Sequence, residues 1–199
     1  MKKACKYELL RGKAIKAGGR KLFRIRALRD FGDVRAGDIG GYIESELNLS
    51  HDGNAWVFGN AQVSGNAQVS GNARVSGNAR VSGDAWVFGN AWVFDDARVS
   101  GNAQVSGDAR MFGNARVSGN AQVSGNAQVF GNARVFGNAW VSVDAWVSGN
   151  ARVYDDARVF GNAWASGDAR MFGNAWVSGN ACGKRCDERA IESAGGPQR

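Results

Sequence analysis

Residues 53–76 read GNAWVFGNAQVSGNAQVSGNARVS, one six-residue unit written four times. Within the unit Ala-x-Val-x alternates, so Ala and Val point to one side of an extended chain and the two variable residues to the other. Gly-Asn then supplies a corner, because both residue types tolerate a positive φ. So short a strand buries nothing by itself. Stacked copies do: Val lies on Val and Ala on Ala about 4.8 Å apart, with backbone hydrogen bonds along the stacking axis. The small alanine fits the tight space beside each corner. Asn repeated in register at a corner can form a ladder of side-chain amides.

Outward from this stretch the period holds without a slip. Alanine recurs every six residues from Ala55 to Ala181, which is 22 consecutive hexads. Val follows two positions later except at Met111, Ala165, Met171 and Gly183, and one corner reads Val143-Asp144. A period of six excludes the five-residue repeat of four-sided solenoids. Three hexads make an 18-residue triangular coil; two make a flat one. The variable residues decide between them. Taking every third hexad, one face carries Gln62, Arg80, Arg98, Arg116, Arg134, Arg152 and Arg170. The other two read Trp56, Arg74, Trp92, Arg110, Gln128, Trp146, Trp164 and Gln68, Trp86, Gln104, Gln122, Trp140, Arg158, Trp176. Segregation of Arg from Trp this sharp favours three sides. Seven such coils stand roughly 34 Å tall.

Composition narrows the function classes. The net charge of +7 invites a polyanion partner, but +5 of it lies in residues 1–52 and the repeat body carries only 9 Arg against 8 Asp. High pI therefore argues weakly for a nucleic-acid groove. No apolar run reaches the roughly 18 residues of a membrane helix, and MKKACKYELLRGK has no apolar core of a signal peptide. The expected location is cytoplasmic, with no membrane partner. Cys5, Cys182 and Cys186 lie outside the core repeats and are expected to be reduced thiols. The Cys182/Cys186 spacing without a nearby His is a poor metal site, so no metal and no cofactor are expected.

The V-x-G-N-A-x pattern over residues 53–181 resembles the hexapeptide repeat of the left-handed β-helix superfamily, best known from bacterial acyltransferases. The expected fold is thus all-β: a single-stranded, parallel, left-handed β-helix, a three-sided solenoid of about seven coils. Residues 1–52 are expected to form a small N-terminal β cap and 182–199 a short C-terminal cap or tail, with a helix in CGKRCDERAIESAGG. A second stretch, RIRALRDFGDVRAGDIGGYIESELNLSHDGNAWV at residues 24–57, is similar to the N-terminal segment of hexapeptide-repeat proteins of bacteria and their prophages. That kinship implies a bacterial or prophage setting and no settled activity.

The resemblance implies a general-base His and coil-interrupting loops if the chain were an acyltransferase. It has one His, His51, ahead of the first coil, and no interruption from 53 to 181. A lone His without an oriented partner reads as a cap residue, so no catalytic residue is assigned and an enzyme is not expected. The arginine face is the sharpest feature. Like charges about 4.8 Å apart repel by roughly 1 kcal/mol even in water, so Arg80, Arg98, Arg116, Arg134, Arg152 and Arg170 need compensation, from bound anions, from stacking between guanidinium planes, or from Asp96 and Asp168. They read either as a rail for anionic ligands such as nucleotides or as a solvated face.

The tryptophans at 56, 86, 92, 140, 146, 164 and 176 sit beside Arg in a spacing that permits cation–π stacking. With the outward Phe residues they suggest a protein–protein interface, most simply a homo-oligomer, ahead of base stacking. Residues 84–116 recur with changes at 144–176, an offset of 60 residues that rotates the copy by one face. Such an expansion suits a scaffold, yet the arginine face runs through both copies. The leading expectation is a non-enzymatic interaction scaffold. A binding module or phage sponge for anionic small molecules comes next, with nucleic acid ranked behind nucleotides, and an acyltransferase-like enzyme comes last.

Overall fold

Eighteen residues separate each strand between Trp56 and Val177 from its hydrogen-bonded neighbour within that span. Arg98 pairs in parallel with Arg80 and Arg116, Gln104 with Trp86 and Gln122, and Trp92 with Arg74 and Arg110. These pairings close a three-sided coil and bear out the face assignment. The computed structural model describes residues 5–180 and the backbone of 182–186. Among them the fold is all-β, a parallel β-solenoid of about eight turns consistent with a β-helix. The only helical element among the described residues is a single 3-10 turn at Glu46–Asn48.

Each hexad folds as the alternation dictates. Ala and the following Val, or its Met or Ala substitute, are buried in every described hexad, and the core is a continuous stack of these small side chains. Corner glycines sit at φ between 58° and 72°. Positive φ at Gly turns the chain from one side of the coil into the next, and the corner at Gly59-Asn60 is closed by Ala61 N donating to Phe58 O. The Asn ladder forms as its register predicts: Asn54 donates to Asn72, Asn72 to Asn90 and Asn90 to Asp108 at 2.9–3.1 Å. Three corners hold a non-glycine at positive φ, namely Asp95, Val143 and Asp155. The two Asp carboxylates accept bonds from Gly113 N and Gly173 N.

The leader continues the solenoid upward. Strands β1 (Tyr7–Ala17) and β2 (Arg20–Ala27) form an antiparallel hairpin, and β2 pairs antiparallel with β3 (Ile39–Ile43). β3 then runs parallel to Gln62–Val63, the first strand of the arginine face, and Leu49 bridges to Val69. Ile43, Leu49 and Val57 therefore occupy inner positions of one more turn, which raises the count above the seven coils expected from the hexads alone.

Capping follows from the direction of the ladder. Each coil donates its N–H groups to the next, as Arg98 N does to Ala115 O, so the first repeat coil presents bare carbonyls to the leader. An exposed row of this kind is a template for foreign strands. Here it is filled: Tyr42 N donates to Ala61 O, Glu44 N to Val63 O and Ser50 N to Val69 O. Side chains complete the set. The buried Asn48 amide donates to Gly65 O and Ala67 O at 2.9 Å, and Lys6 Nζ donates to Ala55 O at 2.8 Å. Lys6 is fully buried, with its ammonium 4.9 Å from the centre of the Phe31 ring. Burial, reinforced by Arg29, pulls its pKa down to about 8.

At the other end Cys182–Cys186 is a strand, paired in parallel with Trp164–Met171. This corrects the helix expected to begin there. An open strand edge offers unpaired backbone groups, and pairing to it outweighs local propensity. The rest of that expected helix and tail, residues 187–199, lies outside the described residues, as does Ala181.

Candidate interaction faces

The arginine face is one continuous column. Arg80, Arg98, Arg116, Arg134, Arg152 and Arg170 are neighbours in register, and the strand register carries on to Arg185. All six are exposed, and none makes an ion pair among the described residues. The compensation expected from Asp96 and Asp168 does not form. Their carboxylates accept instead from the Asn78 and Asn150 amides at 3.3 and 3.0 Å, inside the corner ladder. Beside the upper arginines stand Ser82, Ser100 and Ser118; beside the lower three stand Phe136, Tyr154 and Phe172, stacked at 5.0 and 5.4 Å. Because the rings lie face to face along the axis, they present edges outward. At the top the β1–β2 hairpin overhangs the column, leaving a groove of about 260 Å³ lined by Arg20, Leu22, Gln62, Ser64, Arg80 and Ser82.

The tryptophans divide into three environments. Trp86, Trp92, Trp140, Trp164 and Trp176 are 40–54 % exposed, a large aromatic area for two faces of a small domain. Trp146 is half-buried, stacked on Trp164 at 5.1 Å with Phe130 edge-on at 6.0 Å. Trp56 is 1 % exposed and belongs to no outer surface. This corrects its assignment as a stacking or interface residue. The cap covers it: Tyr7 and Phe31 meet its ring edge-on at 6.1 and 5.3 Å. The chain at Gly40 passes so close that an added Cβ would lie 2.7 Å from Trp56 Cζ2.

Cation–π stacking forms where the Arg/Trp alternation places it. Arg74 and Arg110 lie 5.3 and 5.5 Å from the Trp92 ring centre, and Arg158 lies 5.6 and 5.4 Å from Trp140 and Trp176. At such exposure each contact contributes about 0.5–1 kcal/mol. Arg74 also covers Phe58 and is ion-paired to Asp33 of the cap. That pair was not foreseen, because nothing in the leader's sequence says which coil its loop overlies. A groove of about 290 Å³ lies against Phe58, Arg74, Ser76 and Trp92, and a second of about 200 Å³ against Trp140, Ser142, Val143, Arg158, Phe160 and Trp176.

His51 is a cap residue, as its position suggested. Its ring stacks on Tyr7 at 4.3 Å, and its Nδ1 accepts from Lys6 N at 3.1 Å. That bond requires an unprotonated Nδ1, and burial lowers the His51 pKa in the same direction. Among the described residues no cluster of His, Cys, Asp or Glu could hold a metal ion, and Cys5 is a free, exposed thiol.

This geometry, a regular stack of two-residue strands and glycine corners, has a counterpart among known families. The YdcK beta solenoid repeat family model matches at residues 67–83, 73–89, 91–107, 103–119, 109–125, 127–142 and 151–167. The chain is a β-solenoid repeat protein. No curated protein matches it. The matched segments fall between residues 67 and 167, a span that holds Arg80 to Arg152 of the arginine column and five of the seven tryptophans. No helix among the described residues is long and apolar enough to cross a membrane. A solenoid of this kind fixes where side chains stand; function has to be argued from the faces themselves.

Proposed function

We propose that the protein is a non-enzymatic interaction scaffold that self-associates through its two tryptophan-bearing faces. The reading places it in the cytoplasm and in the left-handed hexapeptide-repeat superfamily, with a leader of the bacterial and prophage type. Five tryptophans at 40–54 % exposure carry it. Aromatic side chains offer large contact area at low entropic cost and dominate interface energetics. The arginine column repels its own copy, so association by the other two faces leaves it outward. Sedimentation velocity at micromolar concentration is expected to give a closed oligomer that persists in high salt, because apolar contacts are not screened. A monomer under both conditions would contradict the proposal.

A second reading is favoured by the arginine face, where none of the six makes an ion pair among the described residues: capture of anionic ligands such as nucleotides, in the manner of a phage sponge, with nucleic acid as the less favoured ligand. A thermal-shift panel of nucleotides and oligonucleotides tests it. If an oligonucleotide engages all six arginines, its affinity falls with salt at a slope of about −4, and the Arg116→Ala/Arg134→Ala variant flattens that slope by about 1.4. No stabilisation by any anion, or a slope the variant leaves unchanged, would remove this reading. Acyl transfer has no observation in its favour.

A further inference from the structure

Val143 breaks a rule that the rest of its column obeys. It stands in the corner column that runs from Gly53 to Gly179, and every other member is a glycine at positive φ. Val143 adopts φ 62°, a conformation that a β-branched residue takes at a cost in strain. The positive-φ aspartates at other corners each gain a hydrogen bond from their carboxylate; a valine has none to gain. Nor does the side chain gain by burial, since it is half exposed. It does form one wall of the groove of about 200 Å³ on the third face.

That groove has a particular chemistry. Trp140, Phe160, Trp176 and Val143 make it apolar, and Ser142 adds a hydroxyl. Its one charge is Arg158, held between the Trp140 and Trp176 rings. Arg158 makes no ion pair among the described residues. Asp155 and Asp156 on the same coil turn their carboxylates to Gly173 N and to the Asn138 amide. The groove beside Arg74 differs on this point, because Asp33 already neutralises its guanidinium.

We infer that the Trp140–Arg158–Trp176 groove is a binding site for a small planar aryl carboxylate, and that Val143 supplies its apolar end wall. One guanidinium matches one carboxylate and can bind it through paired N–H donors. The flat apolar walls take the ring, and the volume limits the ligand to one or two fused rings. Strain retained at a residue that contacts a ligand is a recurrent feature of binding sites. The groove lies on one of the two faces proposed for self-association, so it takes ligand only where a partner copy leaves that face open, and the titration below is run at a concentration where sedimentation gives the unassociated chain.

The test is a titration of the full-length protein with 2-naphthoate, followed through the indole N–H resonances of its seven tryptophans. Saturable shifts confined to Trp140 and Trp176 are expected, with the neutral 2-naphthamide and the Arg158→Met variant each weaker by roughly tenfold. Val143→Gly is the discriminating variant. It should raise Tm by about 2–4 °C by relieving the strain, and weaken 2-naphthoate severalfold. Equal binding of acid and amide, shifts spread over all exposed indoles, or unaltered affinity in Val143→Gly would overturn the inference.

Discussion

Replacing Asn48 with Ala is expected to cost about 3–4 kcal/mol, because a single buried side chain makes four hydrogen bonds to backbone. Asn48 Oδ1 accepts from Glu44 N at 3.0 Å and Ser45 N at 2.9 Å, while Nδ2 donates to Gly65 O and Ala67 O. Alanine leaves Ser45 N and two edge carbonyls without partners and Glu44 N with only its bond to Val63 O, and water entering the gap restores only part of the loss. Asn48→Asp keeps both accepted bonds but sets a carboxylate against two carbonyls, so it should be no milder. Because a solenoid is stabilised by neighbouring turns, damage should begin at the top and spread downward. Urea unfolding measures the total. Hydrogen exchange at Tyr42, Glu44 and Ser50 shows whether the first turn opens before the rest. A variant within a few tenths of a kcal/mol of the parent would mean that the leader does not cap the coil through this residue.

Trp56→Ala should cost about 3–5 kcal/mol, the range for truncating a buried large aromatic. Its indole is the largest fully buried side chain, and it joins the leader to the first coil through Tyr7 and Phe31. Collapse around the void is hindered on two sides, by the stacked coil below and by the backbone at Gly40. The same truncation at Trp86, which is half exposed, should change stability by well under half as much. Thermal unfolding of the two variants side by side checks the contrast. Equal losses would contradict the burial of Trp56.

That contrast also marks what the amino-acid order reveals. Trp56 and Trp86 occupy the same position of the hexad, and the period alone points both outward. Only the leader's path separates them, and that path depends on a hairpin, a close approach at Gly40 and a buried Lys6 that no periodicity encodes. Inside the repeat the reading was nearly complete: the Ala and Val columns, the glycine corners, the amide ladder and the arginine column all follow from a period of six and a coil of eighteen. Val143 was visible as a departure from Gly-Asn, but its meaning needed the backbone angle and the groove beside it. The expectation for Asp96 and Asp168 failed because the corner amides lie closer in register than the arginines do. CGKRC read as the start of a helix because composition says nothing about an open edge one coil away.

The separation of aromatic from basic faces is the centre of the functional proposal, and light scattering on face-specific variants tests it most directly. Trp86→Ser/Trp140→Ser/Trp176→Ser changes one outer face without touching the core, and Arg98→Ser/Arg116→Ser/Arg134→Ser changes another. The wild type and the arginine variant are expected to scatter as the same oligomer, while the tryptophan variant drops to a smaller species with its fold intact by circular dichroism. A tryptophan variant of unchanged mass, or a wild type that is already monomeric, would contradict the account.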